Sequence, residues 1–110
     1  MSAPTTVFAT YRVREGHVDE FLALVGRHGP VLRRLGLVTD EPTRVYLGHE
    51  KESVAPLVIE IFEWVDGDAS ARAHTHPEVS QVWEAMEPLC EGRDGKLSME
   101  FPHLRPVGVS

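Results

Sequence analysis

The chain has 110 residues, of which 42% are hydrophobic and 25% are charged, and its formal net charge is −6. These values are ordinary for a folded soluble protein, so we predict a single domain over residues 1–110. The negative charge argues against a nucleic-acid partner, which requires a basic face. No apolar run approaches the roughly 18 residues of a membrane span, so no membrane partner is predicted.

Cys90 is the only cysteine, which excludes a disulfide within the chain. The first residues, MSAPTTVFATY, have neither the basic patch nor the apolar stretch of a secretory signal. We therefore predict a cytoplasmic protein in a reducing environment.

In chain order, the β-branched and aromatic run TVFATYRV (6–13) predicts a first strand. Residues 16–36 place apolar side chains at spacings of three and four, which predicts a helix that ends at Gly36. Gly29 and Pro30 interrupt the pattern, so a bend or two short helices are expected. RVYLGHE (44–50) then predicts a second strand.

The second half begins with the strongest strand pattern, LVIEIFEW (57–64). The small-residue run ASARAH (69–74) suits a short helical turn. Residues 77–90 carry an apolar stripe and begin with proline, which is typical of the first helical position. KLSMEFPH (96–103) predicts the last strand. Because Pro102 cannot donate to a ladder, this strand is expected to lie at an edge or to end there.

The predicted order of elements is β-α-β-β-α-β, the split βαβ or ferredoxin-like arrangement. A domain of this kind is α+β, with a four-stranded antiparallel sheet and both helices on one face.

Side chains alternate between the two faces of a strand, so each face of the sheet can be composed from the sequence. One predicted face is almost wholly apolar, with Val7, Ala9, Tyr11, Val13, Val45, Leu47, Leu57, Ile59, Ile61, Leu97, Met99 and Phe101. The other is mixed, with Phe8, Thr10, Arg12, Arg44, Tyr46, Val58, Glu60, Phe62, Trp64, Ser98 and Glu100. Two helices cover only one face, and either face is too apolar to be left in water. A homodimer, sheet packed on sheet about a two-fold axis, is therefore predicted.

The mixed face is the predicted place for a ligand, because pockets are mostly apolar with a few placed polar groups. Glu60 is its most notable polar residue, beside Phe62 and Trp64. Two interpretations of Glu60 stay open. It either serves a pocket or forms a structural ion pair across strands with Arg12 or Arg44.

The strand end EIFEW (60–64), the acidic turn after it and the segment AHTHPEV (73–79) that opens the second helix form a recognisable pattern. With the order of elements and the segment FPH (101–103), this pattern resembles the dimeric α+β barrel superfamily. Within that superfamily it is most similar to the antibiotic biosynthesis monooxygenase-like families. The resemblance covers nearly the whole chain.

The resemblance implies a small oxygenase that needs no cofactor. Such members oxidise phenolic or quinol-like substrates with molecular oxygen in a pocket between sheet and helices. The chemistry requires a base to deprotonate the substrate, and a neutral histidine in an apolar pocket is suitable. We predict His74 as this base and Trp64 as the platform for the aromatic ring.

The remaining predicted substrate-binding residues come from the mixed face of the sheet, and they are Phe62, Glu60, Tyr46, Thr10 and Arg12. Tyrosine and arginine side chains can hold the oxygen atoms of a substrate.

The two histidines of HTHPE (74–78) also have structural interpretations. His76 precedes Pro77 and is expected to serve the start of the second helix. His74 has the alternative of facing solvent or the core. A metal site is not predicted, because the spacing of the sequence offers no third ligand.

Two further functions stay open. One is a non-catalytic dimeric barrel that binds a small hydrophobic ligand or a partner. The other is haem binding through His74, because Trp64 and His74 have a spacing similar to a pair in haem-degrading members of the superfamily. In those members the first strand carries an asparagine where this chain has Thr10.

Overall fold

The computed structural model describes residues 3–108. Its strands are β1 (Thr5–Arg12), β2 (Arg44–Gly48), β3 (Leu57–Trp64), β4 (Met99–Glu100) and β5 (His103–Leu104). Its helices are α1 (Val18–Arg34), α2 (Ala69–His74) and α3 (Pro77–Met86), and a 3₁₀ turn follows at Glu87–Leu89. No helix within residues 3–108 is both long and apolar enough to cross a bilayer.

The strands form one antiparallel sheet in the order β2-β3-β1-β4, and β5 also pairs with β1. β4 and β5 follow one register along β1, since Thr10 faces Glu100 and Thr6 faces Leu104. Pro102 lies between them and accepts a hydrogen bond from the Phe8 amide through its carbonyl. The predicted fourth strand is thus an edge strand divided at its proline, and the α+β ferredoxin-like fold is confirmed.

α1 is continuous through Pro30, so of the two predicted alternatives, a bend or two short helices, the second is wrong. Proline removes the donor that would bond to the Gly26 carbonyl, but Gly26 and Pro30 are not buried, so water can satisfy that carbonyl. α1 ends at Arg34, two residues before the predicted Gly36, and Gly36 follows the C-cap Leu35 with a φ of +71°. The Gly36 and Leu37 amides bond back to the carbonyls of Arg33 and Leu32, the pattern of a Schellman motif.

α3 begins as the sequence predicts. His76 is its N-cap, and its ring nitrogen accepts a hydrogen bond from the Glu78 amide at 3.3 Å. Pro77 occupies the first turn, where its missing N–H costs nothing. The apolar stripe of α3 faces the core through Val79, Val82 and Met86. The role of His76 at the helix start is therefore confirmed.

The composition of the two sheet faces differs from the prediction at one strand, β3. The register pairs Val7 with Phe62 and Ala9 with Glu60, so odd residues of β1 share a face with even residues of β3. The helix-covered face therefore includes Val58, Glu60, Phe62 and Trp64, all buried. The predicted alternation within each strand is correct, but the register between strands decides which faces coincide.

No helix of residues 3–108 covers the opposite face of the sheet. This face carries Phe8 and Thr10 of β1, Tyr46 of β2, and Ile59 and Ile61 of β3, which are half-buried or exposed. Phe8 keeps 38% and Tyr46 keeps 51% of its surface in contact with solvent. We call these five residues the open face.

Cys90 lies in the core next to Val13, with which it forms an isolated bridge. Burial raises the pKa of its thiol to about 11, although Arg14 and Arg93 oppose this shift. A thiol that keeps its proton at neutral pH is a poor nucleophile, so Cys90 belongs to the packing of the domain.

Candidate functional site

A cavity of about 350 Å³ lies between the helix-covered face of the sheet and the three helices. Its walls are aromatic, with Phe62 and Trp64 from β3, Trp83 from α3 and Phe101 from the segment between β4 and β5. The Phe62 and Trp64 rings meet edge to face, with centroids 5.0 Å apart. A cavity of this size and lining suits a small flat ligand.

Trp64 and His74 both border this cavity. Trp64 is 3% exposed, and its indole N–H has no acceptor among residues 3–108. His74, the last residue of α2, is exposed and lies at the rim, with its ring centroid 4.7 Å from that of Trp83. The cavity therefore offers one unused buried donor in its wall, the Trp64 N–H, and two accessible imidazoles, those of His74 and His103.

A chain of buried hydrogen bonds leads from the core to the cavity. The Tyr11 hydroxyl donates to Glu60 Oε1 at 2.6 Å. His28 Nδ1 lies 2.9 Å from Glu60 Oε2 and 3.1 Å from Oε1. On the other side of the ring, Trp83 Nε1 donates to His28 Nε2 at 2.9 Å. Glu60, at 0% exposure, thus bonds to Tyr11 and His28 and to neither Arg12 nor Arg44.

These bonds determine which nitrogen of His28 carries the proton. An indole N–H only donates, so His28 Nε2 must accept and cannot itself be protonated. The proton of the neutral ring is therefore on Nδ1, where it is donated to the Glu60 carboxylate. The result is an oriented carboxylate–imidazole pair whose second nitrogen bonds to Trp83, and both His28 and Trp83 line the cavity.

The pKa of Tyr11 lies well above its usual value, first because of burial, and then because of the charge of Glu60 and the hydrogen bond to it. Tyr11 therefore keeps its proton in the folded protein at a pH where the unfolded chain has lost it. This pKa difference contributes to the free energy of unfolding. The contribution is fully present below about pH 10, and it is lost as the pH rises toward the pKa of Tyr11 in the folded protein.

We expect the free energy of unfolding to fall more steeply between pH 9 and pH 11 in the natural protein than in Tyr11→Phe, since each unit of pKa difference corresponds to about 1.4 kcal/mol. Urea unfolding at several pH values measures both slopes. The matched control is Tyr46→Phe, which changes the other tyrosine, exposed on the open face. Equal slopes for Tyr11→Phe and the natural protein would contradict the raised pKa of Tyr11.

The structure brings together some of the residues that the sequence proposed for the site and separates others. Phe62, Trp64 and His74 line the cavity, and Glu60 reaches it through His28. Thr10 and Tyr46 lie on the open face, on the other side of the sheet. Thr10 therefore does not share a site with His74 and Trp64.

Arg12 also lies on the far side of the sheet, and its hydrogen-bond partners give it a structural role. Its side chain is buried and bonds to Glu50 at 3.0 Å, to Glu100 and to the Leu97 carbonyl at 2.7 Å. These contacts fix β4 and the loop after β2 to the end of β1.

Two residues of the site, His28 and Trp83, are not among those predicted from the sequence. Both fall on the apolar stripes of their helices, where a ring is ordinarily part of the core. The available signal was a histidine on such a stripe together with a glutamate inside an apolar strand. Each needs a buried polar partner, and each is the other's partner here.

Within the described residues 3–108, no group of three histidine, cysteine, aspartate or glutamate side chains is placed to hold a metal ion. His76 is occupied as a helix cap, so the two histidines of the HTHPE segment have separate roles.

Solved structures with the same fold cover nearly the whole chain. A mutant of SnoaB from Streptomyces nogalater, described as a cofactor-independent oxygenase, matches with a TM-score of 0.70 and 18% identity, over 98% of this chain and 97% of that chain. A dimeric ferredoxin-like protein of unknown function from Jannaschia sp. CCS1 matches with a TM-score of 0.71 and 15% identity, over 94% and 100% of the two chains.

A protein from Caulobacter crescentus CB15, described as a candidate antibiotic biosynthesis monooxygenase, matches with a TM-score of 0.67 and 15% identity, over 97% of this chain and 92% of that chain. No protein-family model matches the sequence, and no curated protein is similar to it. The resemblance inferred from the sequence is thus confirmed at the level of the fold.

Proposed function

We propose that this protein is a cofactor-independent oxygenase that binds a small phenol- or quinol-type aromatic substrate in the cavity. The observation that carries the proposal is the aromatic cavity bordered by a buried, oriented histidine. The description of SnoaB as a cofactor-independent oxygenase supports the same reaction class.

The cavity residues have the properties that such a reaction needs. Flat substrates pack well on the rings of Phe62, Trp64 and Trp83. The unpaired Trp64 N–H can donate to a substrate oxygen, which would relieve the cost of a buried donor without an acceptor. His28, His74 and His103 border the cavity and are the candidate bases, and His74 is the one that the sequence predicts.

The reaction begins when the substrate hydroxyl loses its proton, because the resulting anion can pass an electron to dioxygen. When the keto form of the substrate has a ring carbon with two hydrogen atoms, one atom of dioxygen becomes a carbonyl oxygen on that carbon. The other oxygen atom leaves as water with the two hydrogen atoms. Dioxygen is the only co-reactant, so electrons and atoms balance without a cofactor.

Haem binding through His74 is the weaker alternative. His74 packs against Trp83 at the rim, and the aromatic cavity behind it has a volume of about 350 Å³. Thr10, the position compared with the asparagine of haem-degrading members, lies across the sheet from this histidine. These contacts favour a small aromatic ligand over a macrocycle.

We also propose that the protein is a homodimer that packs its open faces together. Half-buried isoleucines and exposed aromatic rings lie together over the middle of the sheet, on neighbouring strands. The Jannaschia protein with the same fold is described as dimeric. In this arrangement the cavity lies on the outer side of each sheet, under its own helices.

The test combines binding and turnover. Naphthol should bind with saturation in a calorimetric titration. Naphthohydroquinone should show dioxygen uptake above its rate without protein, and this additional uptake should release no hydrogen peroxide, because the second oxygen atom leaves as water. Ser70 lines the cavity, so Ser70→Phe should weaken naphthol binding by at least roughly tenfold, or about 1.4 kcal/mol. The matched control, Ser80→Phe, places the same ring on α3 at a residue that is not among those lining the cavity.

Three results separate the functions. Binding and uptake that both fall in Ser70→Phe support the oxygenase. Binding without uptake contradicts it and indicates the non-catalytic ligand-binding barrel. Absence of binding contradicts the assignment of the cavity itself.

A further inference from the structure

We propose that the proton acceptor of the site is His28, oriented by Glu60, and that the Trp83 indole occupies its reactive nitrogen until a substrate hydroxyl replaces it. This inference rests on the proposed function, because it assigns a role within the same cavity. The base is then a buried residue, His28, whereas the sequence predicts the exposed His74.

The geometry is that of a base held by an orienting carboxylate. His28 and Glu60 are 1% and 0% exposed, so neither ring nor carboxylate is free to turn into solvent. The carboxylate fixes Nδ1–H, which leaves Nε2 as the acceptor, and Nε2 accepts from Trp83, a residue that lines the cavity as His28 does. A base with its tautomer set by a second residue is the arrangement that general-base catalysis uses.

The electrostatics of the pair favour the same role. Glu60 is hydrogen-bonded to two neutral donors, and no lysine or arginine within residues 3–108 forms an ion pair with it. A buried carboxylate without a cation is costly, so a positive charge formed on the adjacent imidazole is stabilised there. Uptake of a proton by His28 supplies that charge at 2.9 Å from the carboxylate.

His74 lacks these supports. It is exposed, and it packs against the ring of Trp83. No carboxylate in the described part of the chain is hydrogen-bonded to it. No hydrogen bond to a carboxylate therefore fixes the tautomer of His74, as Glu60 fixes that of His28.

Trp83 is the partner of His28 Nε2 in the protein without substrate, and in the proposed reaction a substrate hydroxyl replaces it. In the free protein its N–H bonds to His28 Nε2 at 2.9 Å, so the acceptor is not left unpaired in the core. Trp83 is only half-buried and also lines the cavity, so a bound ligand can contact its ring and compete for the bond to His28.

The proton transfer is balanced. The substrate O–H bond breaks, the N–H bond at His28 Nε2 forms, and the electron pair stays on the substrate oxygen. The imidazolium then lies between the Glu60 carboxylate and the substrate anion. The indole N–H released from His28 can donate to that anion, so the donor regains a partner in the product state.

The test uses para-nitrophenol, because only its anion absorbs in the visible range. At a pH where the free probe is mostly neutral, the probe bound to the natural protein should show the anion band. His28→Gln should lower the band per bound probe by at least roughly tenfold, with bound probe measured by equilibrium dialysis. The matched control is His17→Gln, which removes an exposed histidine paired with Glu20 at the start of the same helix.

A band that is lost in His28→Gln but retained in His17→Gln and His74→Gln supports the inference. A band that persists in His28→Gln, or that disappears in His74→Gln, overturns it. Binding of the probe to the natural protein without the band also overturns it, while the ligand cavity stands. Absence of binding contradicts the proposed function itself, and the two failures are therefore distinguishable.

A second measurement needs no variant and applies if His28→Gln does not fold. NMR of the ring nitrogens should show His28 protonated at Nδ1 alone in the free protein and at both nitrogens with bound para-nitrophenol. An Nε2 that stays unprotonated in the complex overturns the inference.

Discussion

Replacing His28 with leucine is expected to lower the free energy of unfolding by about 3–5 kcal/mol. The substitution leaves the buried Glu60 carboxylate with the Tyr11 hydroxyl as its remaining partner. Glu60→Leu should also destabilise, since the donors of Tyr11 and His28 then lack an acceptor, at about 1–3 kcal/mol for each unpaired group. Urea unfolding at neutral pH measures both changes.

The double variant His28→Leu/Glu60→Leu distinguishes a lost bond from lost packing. With both polar groups replaced by apolar side chains, only the Tyr11 hydroxyl and the Trp83 N–H lose a partner. The free energy of unfolding of the double variant should therefore fall by less than the sum of the decreases in the two single variants, and the difference should be about 0.5–3 kcal/mol. His17→Leu, on the surface at the start of the same helix, should change stability by less than about 0.5 kcal/mol. Additive losses would show that the pair is not coupled.

Ile59→Lys is expected to convert the proposed dimer into a monomer. Ile59 lies in the middle of the open face, where it pairs with Thr10 on β1 and Tyr46 on β2. A two-fold axis through this face brings two copies of the lysine close together in an apolar interface. Burying like charges without partners costs several kcal/mol, and each 1.4 kcal/mol weakens association about tenfold.

Light scattering at micromolar concentration measures this change. The natural protein should have twice the mass of its 12.3 kDa chain, and Ile59→Lys should have the mass of one chain. Val54→Lys is the matched control, because Val54 is 90% exposed in the loop after β2. A natural protein of one chain, or a variant that stays dimeric, would contradict the proposed interface.

The order of elements was predictable because it depends on local patterns. Alternating β-branched residues indicate β1 and β3, and the spacing of apolar residues indicates α1 and α3. The partners of Glu60 were not predictable in the same way. Whether it faces the helices depends on the register of β3 against β1, and a shift of one residue would have moved it to the open face.

The residues of the candidate site were also predictable only where a local sequence pattern indicates them. Trp64 and His74 could be proposed because they lie ten residues apart around one turn, so a local pattern suggests them. His28 and Glu60 are separated by 32 positions, and Trp83 is 55 positions from His28. Only the packing of α1 and α3 on the sheet brings these three side chains together.

The divided last strand has a consequence for access to the cavity. β4 and β5 are two residues long each, whereas β1 and β3 are each eight residues long. Short edge segments open locally at a much lower free energy than the paired centre of a sheet. Met99, Phe101 and His103 line the cavity from this segment. Amide groups here should therefore exchange with solvent before those of the core, and a ligand can enter by a local opening that leaves the central strands paired.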